Sequence, residues 1–203
     1  MRIPALGVLA LLPAICLADR VVTVPAGKKI QMGLARVEAM FELSGPKSSR
    51  WYLGAGLTEH LEIELQRDRL DQERTFDTFD VSWNQSAPIV DLAPGISFGV
   101  LDVLGKTPDG RRAFGAVTFR VGLEGETVND VPLEVTIGAQ TQRRHAIFVG
   151  AVVPFSSKFK LLAEHDGERI TFGPEVRPSP VFALRLVIRE GRPLGSVSLT
   201  KRF

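Results

Sequence analysis

Leu61-Glu-Ile-Glu-Leu-Gln66 alternates apolar and polar side chains without a break. Successive side chains of a β-strand point to opposite faces, so this spacing puts Leu61, Ile63 and Leu65 on one side and Glu62, Glu64 and Gln66 on the other. The same period of two runs through Phe79-Asp-Val-Ser-Trp-Asn84, Val117-Thr-Phe-Arg-Val-Gly122 and Leu133-Glu-Val-Thr-Ile-Gly-Ala-Gln140. It continues, less strictly, in Phe182-Ala-Leu-Arg-Leu-Val-Ile-Arg189 and again in Val197-Ser-Leu-Thr200. After residue 28 this period, not the helical 3.6, dominates, and the chain reads as all-β.

Turn signals cut the alternating stretches at Gly45-Pro46, Asp91 to Gly95, Pro108-Asp-Gly110, Pro154 to Ser157, Asp166-Gly167, Pro178-Ser-Pro180 and Gly191-Arg-Pro193. Twelve strands fit between them, with ten to fourteen as the range: 29–43, 50–57, 61–69, 74–86, 95–104, 112–122, 132–141, 145–153, 158–165, 169–176, 182–189 and 193–203. An even number returns the last strand to the side where the first began. Many strand glycines, Gly54 and Gly150 among them, fall on the polar face, where a missing side chain relieves crowding inside a small barrel. Residues 19–28 read either as a lead-in strand or as a plug turned inward.

The first eighteen residues have the form of a secretory signal. Arg2 is the positive region, Ala5 to Leu17 the apolar region, and Ala18 the small residue before a cleavage point at Asp19. The expected organisation is a signal peptide over 1–18 and a single β-barrel domain over 19–203. Cys16 is the one cysteine, so cleavage leaves a mature chain without thiols, which suits an oxidising compartment. Formal net charge is +2 for the whole chain, a near-neutral balance that gives no case for nucleic acid. No long uncharged apolar run follows the signal, so no spanning helix is expected. Strands of about 9–11 residues with every second side chain apolar could still span a membrane.

Two all-β architectures compete. In a soluble periplasmic β-sandwich or lipocalin-like binding protein the apolar face is inside; in a transmembrane barrel it is outside and the charges point inward. Alternation alone does not say which face is in. Amphipathic strands throughout, and aromatics near the strand ends (Trp51, Tyr52, Phe76 and Phe114 at one end; Phe155, Phe159, Phe182 and Phe203 at the other), favour the antiparallel up-and-down transmembrane barrel.

The closing stretch, Leu194-Gly-Ser-Val-Ser-Leu-Thr-Lys-Arg-Phe203, alternates and ends on an aromatic residue. With the export signal, it resembles the last strand of bacterial outer-membrane β-barrel proteins. The phrase Tyr52-Leu-Gly-Ala-Gly-Leu-Thr-Glu-His-Leu-Glu-Ile-Glu64 is similar to their strand–turn–strand repeats, and also to those of YjbH-type proteins associated with exopolysaccharide export. The resemblance implies an outer-membrane location in a Gram-negative envelope and a small pore or a structural, export-associated role. It also implies insertion by the barrel-assembly machinery through Val197, Leu199 and Phe203, a face that Lys201 interrupts. Outer-membrane lipid and lipopolysaccharide, and polysaccharide or small solutes, would then be partners.

Placing the N-terminus on the periplasmic side puts Lys47, Arg50, Arg111, Arg112, Arg143 and Arg144 on a basic outer rim suited to phosphates. The polar face carries Glu62, Glu64, Asp80, Asp102, Arg120, Glu134, Glu164, Glu175 and Arg185, which would line the lumen. Paired, these charges would plug and stiffen it; segregated, they would set pore selectivity. Val135→Arg, on the lipid side, should then harm folding more than Thr136→Arg on the lumen side. Catalysis has little support: His165 and Asp166 are adjacent and point to opposite faces, and no serine sits in a motif with a histidine. No metal-ligand spacing or phosphate loop stands out, and no cofactor is expected.

Overall fold

In a computed structural model the described residues are 20–28, 30–45, 48–70, 74–122, 131–141 and 146–203. They contain twelve strands: β1 Leu34–Glu42, β2 Ser49–Gly56, β3 Leu61–Leu70, β4 Arg74–Ser86, β5 Gly95–Leu101, β6 Arg112–Val121, β7 Leu133–Gln140, β8 Ile147–Pro154, β9 Phe159–His165, β10 Ile170–Ser179, β11 Phe182–Arg189 and β12 Arg192–Arg202. Each pairs antiparallel with its sequence neighbours, and β12 returns to β1, closing an all-β up-and-down barrel. The closing register runs from Leu34 opposite Arg202 to Glu42 opposite Leu194. Both ends of the barrel sequence lie at one rim, where Phe203 N–H donates to the Gly33 carbonyl at 2.9 Å.

Which face is inside is settled by burial. Leu53, Leu65, Phe98, Phe119, Ile137, Val149, Phe172, Leu184 and Leu199 are exposed on the outer surface, while Glu38, Glu62, Glu64, Glu134, Glu164, Glu175 and Arg185 are buried within. A water-soluble barrel has the reverse polarity. An apolar exterior wrapped around a charged interior is the arrangement of a transmembrane barrel, and the sandwich and lipocalin-like alternatives do not fit it.

Three strand boundaries depart from expectation by three residues or more. β1 begins at Leu34 rather than 29, because Ile30 N–H donates inward to Glu62 and the chain turns at Gly33, φ +76°. β5 stops at Leu101 rather than 104, because Asp102 takes φ +49° and its carboxylate organises the loop that follows. β10 continues to Ser179, through the predicted turn at Pro178, into a two-residue connection to β11.

The aromatic girdle is thinner than the sequence suggests. Trp51 faces out and meets Phe41 edge-on at 5.7 Å, and Phe155 and Phe159 pair at 5.8 Å at the opposite rim. Tyr52 and Phe114, however, are buried in the interior. Trp51 and Tyr52 are consecutive in β2, so only one of them can face outward.

Candidate functional site

The lumen is occupied by the chain itself. Residues 20–28 and Ile30, ahead of β1, run inside the barrel, with Val21, Val22, Val24, Ala26 and Ile30 buried, and the chain leaves the lumen at the exposed Met32. Of the two readings of this segment, the structure selects the plug. The segment folds back at residues 20–25, where Val21 N–H donates to the Val24 carbonyl at 3.1 Å, and its remaining amides turn to the wall. The Glu164 carboxylate of β9 accepts the N–H groups of Val22 at 2.9 Å, Thr23 at 2.9 Å and Val24 at 3.1 Å, and the Thr23 hydroxyl at 2.6 Å. Gly27 N–H donates to Thr118 Oγ1 at 2.7 Å, and Ser97 Oγ donates to the Ala26 carbonyl at 2.7 Å. Ile30 N–H donates to Glu62 Oε2 at 2.7 Å. The Lys28 ammonium pairs with Glu134, which also takes Arg120 Nε at 3.0 Å.

Glycines make the space. A Cβ on Gly95 would run into the Gly27 carbonyl, and one on Gly150 would lie 2.6 Å from Val21 Cγ2. Gly54 likewise faces the Ile30 side chain, 2.7 Å from where its own Cβ would be. Several glycines on the polar face are therefore seats for the plug.

A chain of alternating charge ties this segment to the wall. Arg20 contacts Glu64 and stacks over the Tyr52 ring, 3.7 Å from its centroid. Glu64 takes Arg36 at 3.2 Å, and Arg36 approaches Glu38 at 3.9 Å. Glu38 takes Arg185 at 3.0 Å, which reaches Glu175 at 2.7 Å, and Arg177 closes the series on Glu175 at 2.5 Å. Opposite charges adjacent throughout make a paired network, not two segregated walls. Beside it lies an apolar cluster of Val21, Val22, Val24, Met40, Phe114, Phe148, Val152, Leu162 and Val187. The interior is thus less polar than strict alternation implies, since β8, Ile-Phe-Val-Gly-Ala-Val-Val-Pro, is apolar on both faces.

At the rim away from the termini two cavities, of about 250 and 230 Å³, share Arg50, Asp68, Arg169 and Arg189. The second ends on Thr23, Val24 and Pro25, so the plug is the floor of a vestibule. Its arginines are paired: Arg50 with Asp68 at 2.8 Å, Arg189 with Asp166 at 2.6 Å, and Arg112 with Asp109 at 3.7 Å and with Gln140 Oε1 at 3.3 Å. Arg111 Nε donates to the Val103 carbonyl at 2.8 Å. Lys47, Arg143 and Arg144 lie outside the described residues. Among the described residues, carboxylates interleaved with the arginines make this rim mixed in charge.

Asp80 accepts the Asp102 N–H at 2.7 Å. Asp102 itself sits just beyond β5 rather than within a strand. It accepts the hydroxyls of Thr78 and Thr107, both at 2.6 Å, and the N–H groups of Lys106 at 2.9 Å and Thr107 at 2.7 Å. Burial pushes its carboxyl up, but the Thr107 and Thr78 hydroxyls and these two amides outweigh that and hold it below the usual carboxylate range. His165 Nδ1 accepts the Gly167 N–H at 3.2 Å while Asp166 turns inward to Arg189, so the two do not act together. Val197, Leu199 and Phe203 are exposed along the outer side of the final strand.

Sequence reasoning left out Arg20, Lys28, Arg36 and Glu38. The last two were visible in Ala35-Arg-Val-Glu-Ala39, which alternates as plainly as any strand here. Arg20 and Lys28 were not, because nothing local distinguishes a lumen plug from a free lead-in.

No protein-family model and no curated protein matches this chain. Among solved structures it is similar to the N-terminal β-barrel domain of Pseudomonas aeruginosa OprF, at 13% identity, over 85% of this chain and 98% of that one, with a TM-score of 0.28. A score that low carries no argument, and the barrel stands on its own strand pairing and polarity.

Proposed function

We propose that this chain is a bacterial outer-membrane β-barrel that is sealed at rest by its own N-terminal segment and serves a structural or export-associated role rather than that of an open pore. The observation that carries this reading is Glu164 holding three consecutive plug amides inside the lumen. The signal-like residues 1–18 support export and cleavage before Asp19. The exposed Val197, Leu199 and Phe203 support recognition by the barrel-assembly machinery. In this orientation the two ends of the barrel wall, Leu34 and Arg202, face the periplasm, and the vestibule opens outward among lipopolysaccharide phosphates. The narrower exopolysaccharide-associated reading rests on Tyr52 to Glu64, which folds as the β2–β3 hairpin, with Thr23 to Gly27 and the closing strand similar in kind.

The test is heat modifiability of the mature protein in washed outer membranes, followed by planar-bilayer conductance. A band that shifts on boiling, with no steady conductance, is the expected result. A steady open channel would overturn the sealed reading, and protein released into the soluble periplasm without a shift would overturn the barrel reading itself.

A further inference from the structure

The plug does not fill the lumen evenly. On one side it packs against the apolar cluster around Phe148, Val152, Leu162 and Val187. On the other, along β3 and β4, it leaves a cavity of about 40 Å³, with room for about three waters at roughly 10–15 Å³ each. This cavity shares Arg20, Thr23, Pro25, Asp80 and Leu101 with the vestibule. It reaches Lys28 and Glu62, near the rim of Leu34 and Arg202. The charges around it are sorted by origin. Its cations, Arg20 and Lys28, belong to the plug, and its acids, Glu62, Glu64 and Asp80, belong to the wall.

The same imbalance holds for the whole lumen below the rim of Arg50, Arg112 and Arg189. Among the described residues the strands turn seven carboxylates inward there, these three with Glu38, Glu134, Glu164 and Glu175. Against them they turn five cations inward, Arg36, Arg120, Lys160, Arg177 and Arg185. The wall alone is short of two positive charges, and among the described plug residues Arg20 and Lys28 supply them, on Glu64 and Glu134. Arg120, Lys160 and Arg177 stand on β6, β9 and β10, away from the acids of β3 and β4. With the plug gone, Glu64 keeps Arg36 at 3.2 Å, and Glu62 and Asp80 line the path beside it. A path walled by carboxylates inside a low-dielectric cylinder concentrates cations and repels anions.

We propose that undocking of the plug opens a cation-conducting path along β3 and β4, with Glu62, Glu64 and Asp80 as the charges that set its selectivity. The proposal rests on the sealed reading above and gives the released state a solute class, small cations. The plug is both seal and counter-charge. Its departure clears the lumen and removes the two cations that mask the wall.

Reversal potentials of the mature barrel in planar bilayers under a KCl gradient test it. Gly150→Leu is an opener that leaves every charge in place. A Cβ there would lie 2.6 Å from Val21 Cγ2, and the three nearest atoms all belong to Val21. Glu164→Ala is a second opener. Both should pass K⁺ over Cl⁻ by about tenfold at about 0.1 M KCl, and the ratio should fall at about 1 M, where the screening length is about 3 Å. Glu62→Gln with Asp80→Asn in the Gly150→Leu protein keeps both hydrogen-bond acceptors and should bring the ratio close to unity. Openers that conduct without selectivity, or that prefer Cl⁻, overturn the proposal. Loss of hydrogen-exchange protection at the Val22, Thr23 and Val24 amides without any current overturns it as well. So does full protection of those amides in both variants, since a segment that neither change dislodges is no gate. A wild type that already conducts refutes the sealed reading instead, and the sign of its reversal potential still decides the solute class.

Discussion

Replacing Glu164 by alanine should release the plug while leaving the barrel wall closed. The carboxylate takes three backbone N–H donors and the Thr23 hydroxyl. A hydrogen bond to a charged group contributes about 1.5–3 kcal/mol, and a neutral one about 1 kcal/mol. Losing the cluster should cost the docked state about 4 kcal/mol, because the freed amides regain water once the segment leaves. That raises the undocked population by about three orders of magnitude. Glu164→Gln keeps an acceptor and should fall between the two. None of the strand–strand hydrogen bonds of β9 uses this side chain, so heat modifiability should persist. Hydrogen exchange at the Val22, Thr23 and Val24 amides, together with single-channel conductance, reads the effect. Wild-type protection and silence in Glu164→Ala would refute the idea that this carboxylate holds the plug.

Further expectations follow from the same geometry. Arg185→Ala leaves Glu38 and Glu175 without their shared cation in a buried setting and should destabilise the barrel by about 3–5 kcal/mol, measured by urea unfolding from lipid vesicles. Val135→Arg, which faces lipid at mid-strand in β7, should cost about 2–4 kcal/mol in the same assay. Thr136→Arg is not the mild change expected for an open lumen. Thr136 is 2% exposed and bonded to Thr118 Oγ1 at 2.7 Å, so the added bulk must displace the plug or strain the wall, at a cost of about 1–3 kcal/mol or more. Equal, near-zero effects of Val135→Arg and Thr136→Arg would argue against both faces as assigned. Asp102 has a folded-state pKa below its unfolded value, so its contribution is present above an unfolded pKa of about 3.9 and is lost as pH falls through the lower folded value. Exchange at the Lys106 and Thr107 amides should rise with acidification over that window relative to neighbouring loops, and Asp102→Asn should remove the pH dependence.

Strand count and order were legible because a barrel forces a strict period of two on nearly every strand, and Leu61 to Gln66 shows it in six residues. Orientation was not, since alternation is symmetric under exchange of faces; exposed Leu53 beside buried Glu64 breaks the tie only in three dimensions. The lumen acids were legible as a polar face, but their pairing was not. Glu38 and Arg185 come together across the β1–β12–β11 seam, 147 residues apart in sequence. Glu164 looked like any other strand acid. Its role depends on a segment 140 residues upstream folding back on it, which no local pattern encodes.

The seam between the first and last strands also checks its own alignment. Ser196, in β12, donates to Glu38, in β1, across a separation of 158 residues. Contacts between residues so distant form late, when loop-closure entropy has already been spent. If β1 slipped by one residue against β12, every side chain would change faces. Arg36 and Glu38 would then point into hydrocarbon, and Val37 and Ala39 into a lumen built for charge. Misaligned closure is thus penalised at the very step that completes the cylinder, and the ion pairs buried at the seam act as a proofreading device for assembly as well as mortar for the finished wall.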